Sequence, residues 1–116
     1  MTTITTGLKT VVYPVHDLER AKAVYGAVLG DPHTDTPYYV GYAAAGQEVG
    51  LDPNGHAQGM TGPIGYWHVP DVAAALAAVV AAGGEEPQGP RDVGGGTLLA
   101  TVQDGAGNVV GLIQKP

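Results

Sequence analysis

The chain has 116 residues, 44% hydrophobic and 14% charged, with a formal net charge of −6 and no cysteine. That composition fits one globular domain and excludes disulfides, thiolate catalysis and a disordered chain. The acidic balance argues against nucleic acid and anionic membrane surfaces as partners.

The opening MTTITTGLKTVV lacks the basic region and apolar core of a signal peptide, and no apolar run reaches membrane-spanning length, so a cytoplasmic location is expected. Residues 9–15 read as a strand. Asp17 then stands where an N-cap is wanted, because its carboxylate accepts from an otherwise orphaned helical N–H. Leu18, Ala21, Tyr25, Val28 and Leu29 fall on one helical face, and Gly30 is a suitable stop. A weakly extended piece near 32–36 precedes strands at 38–43 and 47–52, joined by the turn AAAG. The stretch DPNGHAQGMTGP (52–63) has linker composition. Residues 63–69 form the next strand and Asp71 the next N-cap. Val72, Leu76, Val79 and Val80 form a second helical stripe that Gly83-Gly84 ends. A weak segment at 88–93 leads to strands 97–103 and 108–114, joined by DGAG.

The order of elements repeats. Val15-His16-Asp17-Leu18 aligns with Val69-Pro70-Asp71-Val72, and AGQEVGL (45–51) aligns with AGNVVGL (106–112). Two matches in the same order indicate duplication. The chain therefore reads as α+β: one domain, 1–116, of two tandem βαβββ modules. The first module is placed at about 8–53, the linker at about 54–62 and the second module at about 63–115. Each helix covers one face of its sheet, and the curled, open-barrel mixed sheet encloses a cavity with the other.

The run from Val15 to Gly30, of the form V-x-D-L-x-x-A-x-x-x-Y-x-x-V-L-G, resembles the first helix of the vicinal oxygen chelate superfamily. That group includes glyoxalase I, extradiol dioxygenases and the bleomycin and fosfomycin resistance proteins. VPDV and DGAGNVVGL resemble its second helix start and last strand. Catalytic members hold a divalent metal with one side chain from the first and one from the last strand of each module. Carried onto this chain, those positions are Thr10, Gly50, Ile64 and Gly111. Such metals want imidazole nitrogen or carboxylate oxygen at about 2.0–2.2 Å, and none of these residues supplies either. No metal or other cofactor is expected.

Strand alternation then assigns faces. Taking Thr10 and Ile64 as cavity-facing brings in Val12, Pro14, Tyr66 and His68. Glu48 and Asp52 share a face with Gly50, and Val109 and Ile113 share one with Gly111. Parity carried across the repeat adds Tyr38, Val40, Tyr42, Leu99, Thr101 and Gln103. The expected ligand-binding residues are thus Tyr38, Tyr42, Glu48, Asp52, Tyr66, His68 and Gln103, a set suited to an aromatic or cationic small molecule. His16, His33 and His56 fall in turns and loops and read as surface residues. Gly94-Gly95-Gly96 lacks the helix and Lys of a phosphate loop and reads as a hairpin lip. There is no serine nucleophile.

The resemblance implies a metal-independent binding protein of the glyoxalase/bleomycin resistance type, homodimeric, sequestering a drug-like or natural-product ligand as in antibiotic resistance. The alternatives are a lyase or dioxygenase-type enzyme, metal-dependent or using His68 and Glu48 as acid and base, and a small interaction subunit.

Overall fold

The computed structural model describes residues 2–116 and shows an α+β protein with two α-helices and eight strands in mixed pairing. The chain divides into two compact units that follow the repeat. Lys9–Ile64 forms one, and residues 2–8 with Gly65–Pro116 form the other. The stretch read as a linker belongs to the first unit, where it carries a 3-10 turn, His56–Gln58.

The first module contains β1 (Gly7–Pro14), α1 (Leu18–Leu29), β2 (Thr34–Asp35), β3 (Val40–Ala44) and β4 (Gln47–Asp52). Its strands run in the order β2-β3-β4-β1, with β1 parallel to β4 and the rest antiparallel. Helix α1 starts where expected: the Asp17 carboxylate accepts from the Arg20 N–H at 3.1 Å. It stops at Gly30, whose φ of 81° suits glycine and whose N–H donates to the Gly26 carbonyl. Leu18, Ala21, Tyr25 and Leu29 pack against Val40, Tyr42 and Leu51. Val28, expected on that stripe, is 85% exposed instead.

The second module contains β5 (Ile64–His68), α2 (Val72–Ala81), β6 (Glu85–Asp92), β7 (Leu98–Gln103) and β8 (Val109–Gln114), in the order β5-β8-β7-β6. Asp71 caps α2 by accepting from the Ala74 N–H at 3.0 Å, and the Gln114 side chain accepts from the Val72 N–H at 2.9 Å. Val72, Ala75 and Leu76 pack on Ala100, Val102 and Leu112. Residues ahead of β1 are tied to this module: the Thr5 hydroxyl and the Thr6 N–H donate to the His68 carbonyl at 2.7 and 2.9 Å.

The modules differ at one hairpin, and that difference decides which side chains face the site. Strands β3 and β4 close through a two-residue turn, Ala45-Gly46, both at positive φ. Strands β7 and β8 close through 104–108, where the Asp104 carboxylate accepts from the Ala106 N–H at 2.7 Å and from the Asn108 amide at 2.8 Å. An even turn in one module and an odd turn in the other shift the pairing by one residue. Gly41 pairs with Gly50, whereas Thr101 pairs with Gly111. A shift of one residue exchanges the faces of a strand, so β3 presents the opposite face from the one that parity across the repeat predicts.

Candidate functional site

On β1 and β4 the expected faces hold. Thr10 and Glu48 are register partners, as are Val12 and Gly50, and Pro14 and Asp52. They share the face away from α1, because the alternate residues Tyr13, Val15, Val49 and Leu51 belong to the helix-side core. Strand β3 corrects the reading. Val40 and Tyr42 pair with Leu51 and Val49 and so face α1. Tyr42 is 1% exposed, and its hydroxyl donates to the Lys22 carbonyl at 3.4 Å, so it sits in the helix-side core rather than on the expected face. Tyr38 is displaced as well. It lies in the bend before β3, 75% exposed, rather than on a strand facing a cavity.

Its neighbour Tyr39, which parity excluded, covers the site face. A Cβ built on Gly50 would overlap the Tyr39 hydroxyl and stand 2.6 Å from Cζ. A Cβ on Gly41 would lie 2.8 Å from His33 Cε1 and 3.3 Å from Tyr39 Cε2. The cross-strand glycine pair Gly41–Gly50 is thus the seat of two rings. The loop builds this arrangement. The Thr36 hydroxyl accepts from the Tyr38 and Tyr39 N–H groups at 3.2 and 3.0 Å, and the Thr36 N–H donates to the Tyr39 carbonyl at 3.1 Å. His33 is exposed, as read from sequence, but its Nδ1 lies 2.9 Å from the Thr34 hydroxyl and its ring rests on Gly41. A threonine three residues before a tyrosine in a polar loop was the available sequence sign of this turn.

In the second module the expected faces all hold. Tyr66 pairs with Gly111, and Ile113 pairs with both His68 and Leu99. Thr101 and Gln103, on the same face of β7, pair with Gly111 and Val109. Tyr66 is buried and leans across Gly111: a Cβ there would lie 2.6 Å from Tyr66 Cδ1 and 2.7 Å from the Gly65 carbonyl oxygen. His68 is half-buried at the end of β5. Gln103 lies at the end of β7, paired with Glu85 on its other side. Asp52 closes β4, where its carboxylate accepts from the Asn54 N–H at 2.8 Å. A separate cavity of about 380 Å³ lies on the helix side of this module, against Ile4, Trp67, Val69, Ala78, Val79 and Leu112.

The metal that the resemblance implies does not fit these residues. Thr10, Gly50, Ile64 and Gly111 offer no carboxylate or imidazole, and tyrosine rings occupy the space that side chains at 50 and 111 would fill. Among the described residues no three His, Cys, Asp or Glu side chains are grouped to hold a metal ion.

No protein-family model matches the chain, and no curated protein matches its sequence. Solved structures do match. Methylmalonyl-CoA epimerase from Mycobacterium tuberculosis is 17% identical with a TM-score of 0.74, over 100% of this chain and 92% of that one. A selenomethionine methylmalonyl-CoA epimerase is 19% identical with a TM-score of 0.73, over 100% and 99%. A glyoxalase/bleomycin resistance protein/dioxygenase superfamily member from Vibrio splendidus 12B01 is 17% identical with a TM-score of 0.67, over 91% and 97%. The chain therefore has the vicinal oxygen chelate fold. Among the described residues no helix is long and apolar enough to cross a membrane.

Proposed function

We propose that this protein binds a small organic molecule without a metal, the first module offering the face that carries Tyr39 and Glu48 and the second the face that carries Tyr66 and His68. The carrying observation is that Thr10, Gly50, Ile64 and Gly111 stand at all four positions where the resemblance places metal ligands. Tyrosine rings and a half-buried carboxylate suit an aromatic or cationic ligand. Sequestration of an intact compound by a homodimer, as in the bleomycin resistance branch, is the role this reading gives the chain.

The test is to incubate the protein with a panel of planar aromatic and cationic natural products and examine it by native mass spectrometry. A bound compound of unchanged mass is expected. Tyr66→Ala should weaken its binding by about 1–3 kcal/mol, the usual cost of removing a buried aromatic contact. Chemical conversion of the compound would replace this reading with an enzymatic one. One tightly held Zn, Ni, Mn or Fe ion per chain after metal loading would overturn its metal-free part.

A further inference from the structure

We infer that the tyrosine rings bar a metal-ligating side chain from positions 50 and 111, and with it a divalent ion. Loss of the ligand residues is only half of the change, and each ring forms a matched pair with its glycine. The inference rests on the metal-independent reading and adds to it the residues that enforce it. In the first module Tyr39 lies where any side chain at position 50 would begin, and the Thr36 turn holds its backbone there. In the second, Tyr66 lies over Gly111, and the Gly65 carbonyl oxygen closes the same space with backbone.

The two positions differ in kind. At Gly50 the three atoms nearest to an added Cβ all belong to one phenol ring, which can turn about its side-chain torsions. At Gly111 a backbone oxygen also obstructs, and it moves only with the strand. A carboxylate at 50 therefore becomes compatible with an ion once Tyr39 is removed, whereas a carboxylate at 111 does not become so on removal of Tyr66. Tyr39 thus determines which class of ligand the first module accepts. With the ring in place the position offers aromatic surface and a phenol hydroxyl. Without it, the position is open to a chelating pair drawn from two adjacent strands, since Thr10 and Gly50 share one face one step apart in register.

The experiment compares the full chain carrying Thr10→His and Gly50→Glu with the same chain also carrying Tyr39→Ala. Each is titrated with NiCl2 by calorimetry, with thermal unfolding recorded alongside. Nickel should bind at least about tenfold more tightly when Tyr39 is removed, which is a difference of about 1.4 kcal/mol. Equal affinities, or no binding by either, would overturn the inference. In the unsubstituted protein, nuclear Overhauser contacts between the Tyr39 ring and the Gly50 α-protons are expected, and their absence would also overturn it. This check needs no altered protein to fold. Nickel held by the unsubstituted chain would overturn both this inference and the metal-independent reading, whereas equal nickel affinities of the two variants with none held by the unsubstituted chain would overturn this inference alone, so the two failures are distinguishable.

Discussion

Ala45 has a φ of 53° in a two-residue hairpin turn, with Gly46 following at 80°. Two successive positive φ values are the pattern of a turn that favours Asn-Gly, and an alanine there bears a steric cost. Ala45→Asn should stabilise the chain by about 0.5–1 kcal/mol, read as a higher urea midpoint with an unchanged slope. The glycines under the rings give the opposite sign. Gly111→Ala should cost about 1–3 kcal/mol, because the new methyl meets the Gly65 carbonyl as well as the Tyr66 ring. Gly50→Ala should cost less, since its obstacle is a ring that can turn. Urea unfolding of both variants ranks them, and equal losses would contradict the distinction. Residue identities made the glycines visible in the sequence, but not what covers them. Tyr38 and Tyr39 are adjacent and chemically alike, and only the chain path tells them apart.

At the scale of elements, local chemistry was legible wherever the deciding contact is local. Asp17 and Asp71 cap their helices, Gly30 ends α1, and both stretches of alternating residues on β7 and β8 face as expected. The β3–β4 hairpin was misread because its turn is two residues long and the β7–β8 turn is five, a difference that the near-identical flanks conceal. The longer turn is held by Asp104. The Asn108 side-chain amide, then the N–H groups of Ala106 and Asn108, keep its carboxyl below the ordinary value of 3.8. A depressed carboxyl adds stability that is complete above the ordinary value and is lost as pH falls through the lower folded one. The Ala106 and Asn108 amide chemical shifts should therefore hold steady down to about pH 4 and move below it. Shifts that stay constant into strong acid would show that the carboxylate does not hold the turn.

At the scale of the molecule, the repeat gives two hydrophobic cores among the described residues, and none of these residues belongs to both. Val40, Tyr42 and Leu51 centre one, and Val72, Ala100, Val102 and Leu112 centre the other. Leu51→Ala should cost about 2–5 kcal/mol. With no shared packing partners, its loss and that of Val102→Ala should add to within about 0.5 kcal/mol in the double variant. A larger departure, measured by denaturant unfolding, would mean that the cores are coupled. The sequence by itself determined the duplication, the α+β class, the helix limits and the unsuitability of all four expected metal positions. The class and helix limits follow from residue type and short-range spacing, the duplication from matches in the same order along the chain, and the metal positions from the resemblance. Only the tertiary structure decided that Tyr42 belongs to the core and that Tyr39 and Tyr66 stand over Gly50 and Gly111. The strand faces follow from pairing register, which one residue of turn length reverses, and a ring's seat depends on where its loop delivers it.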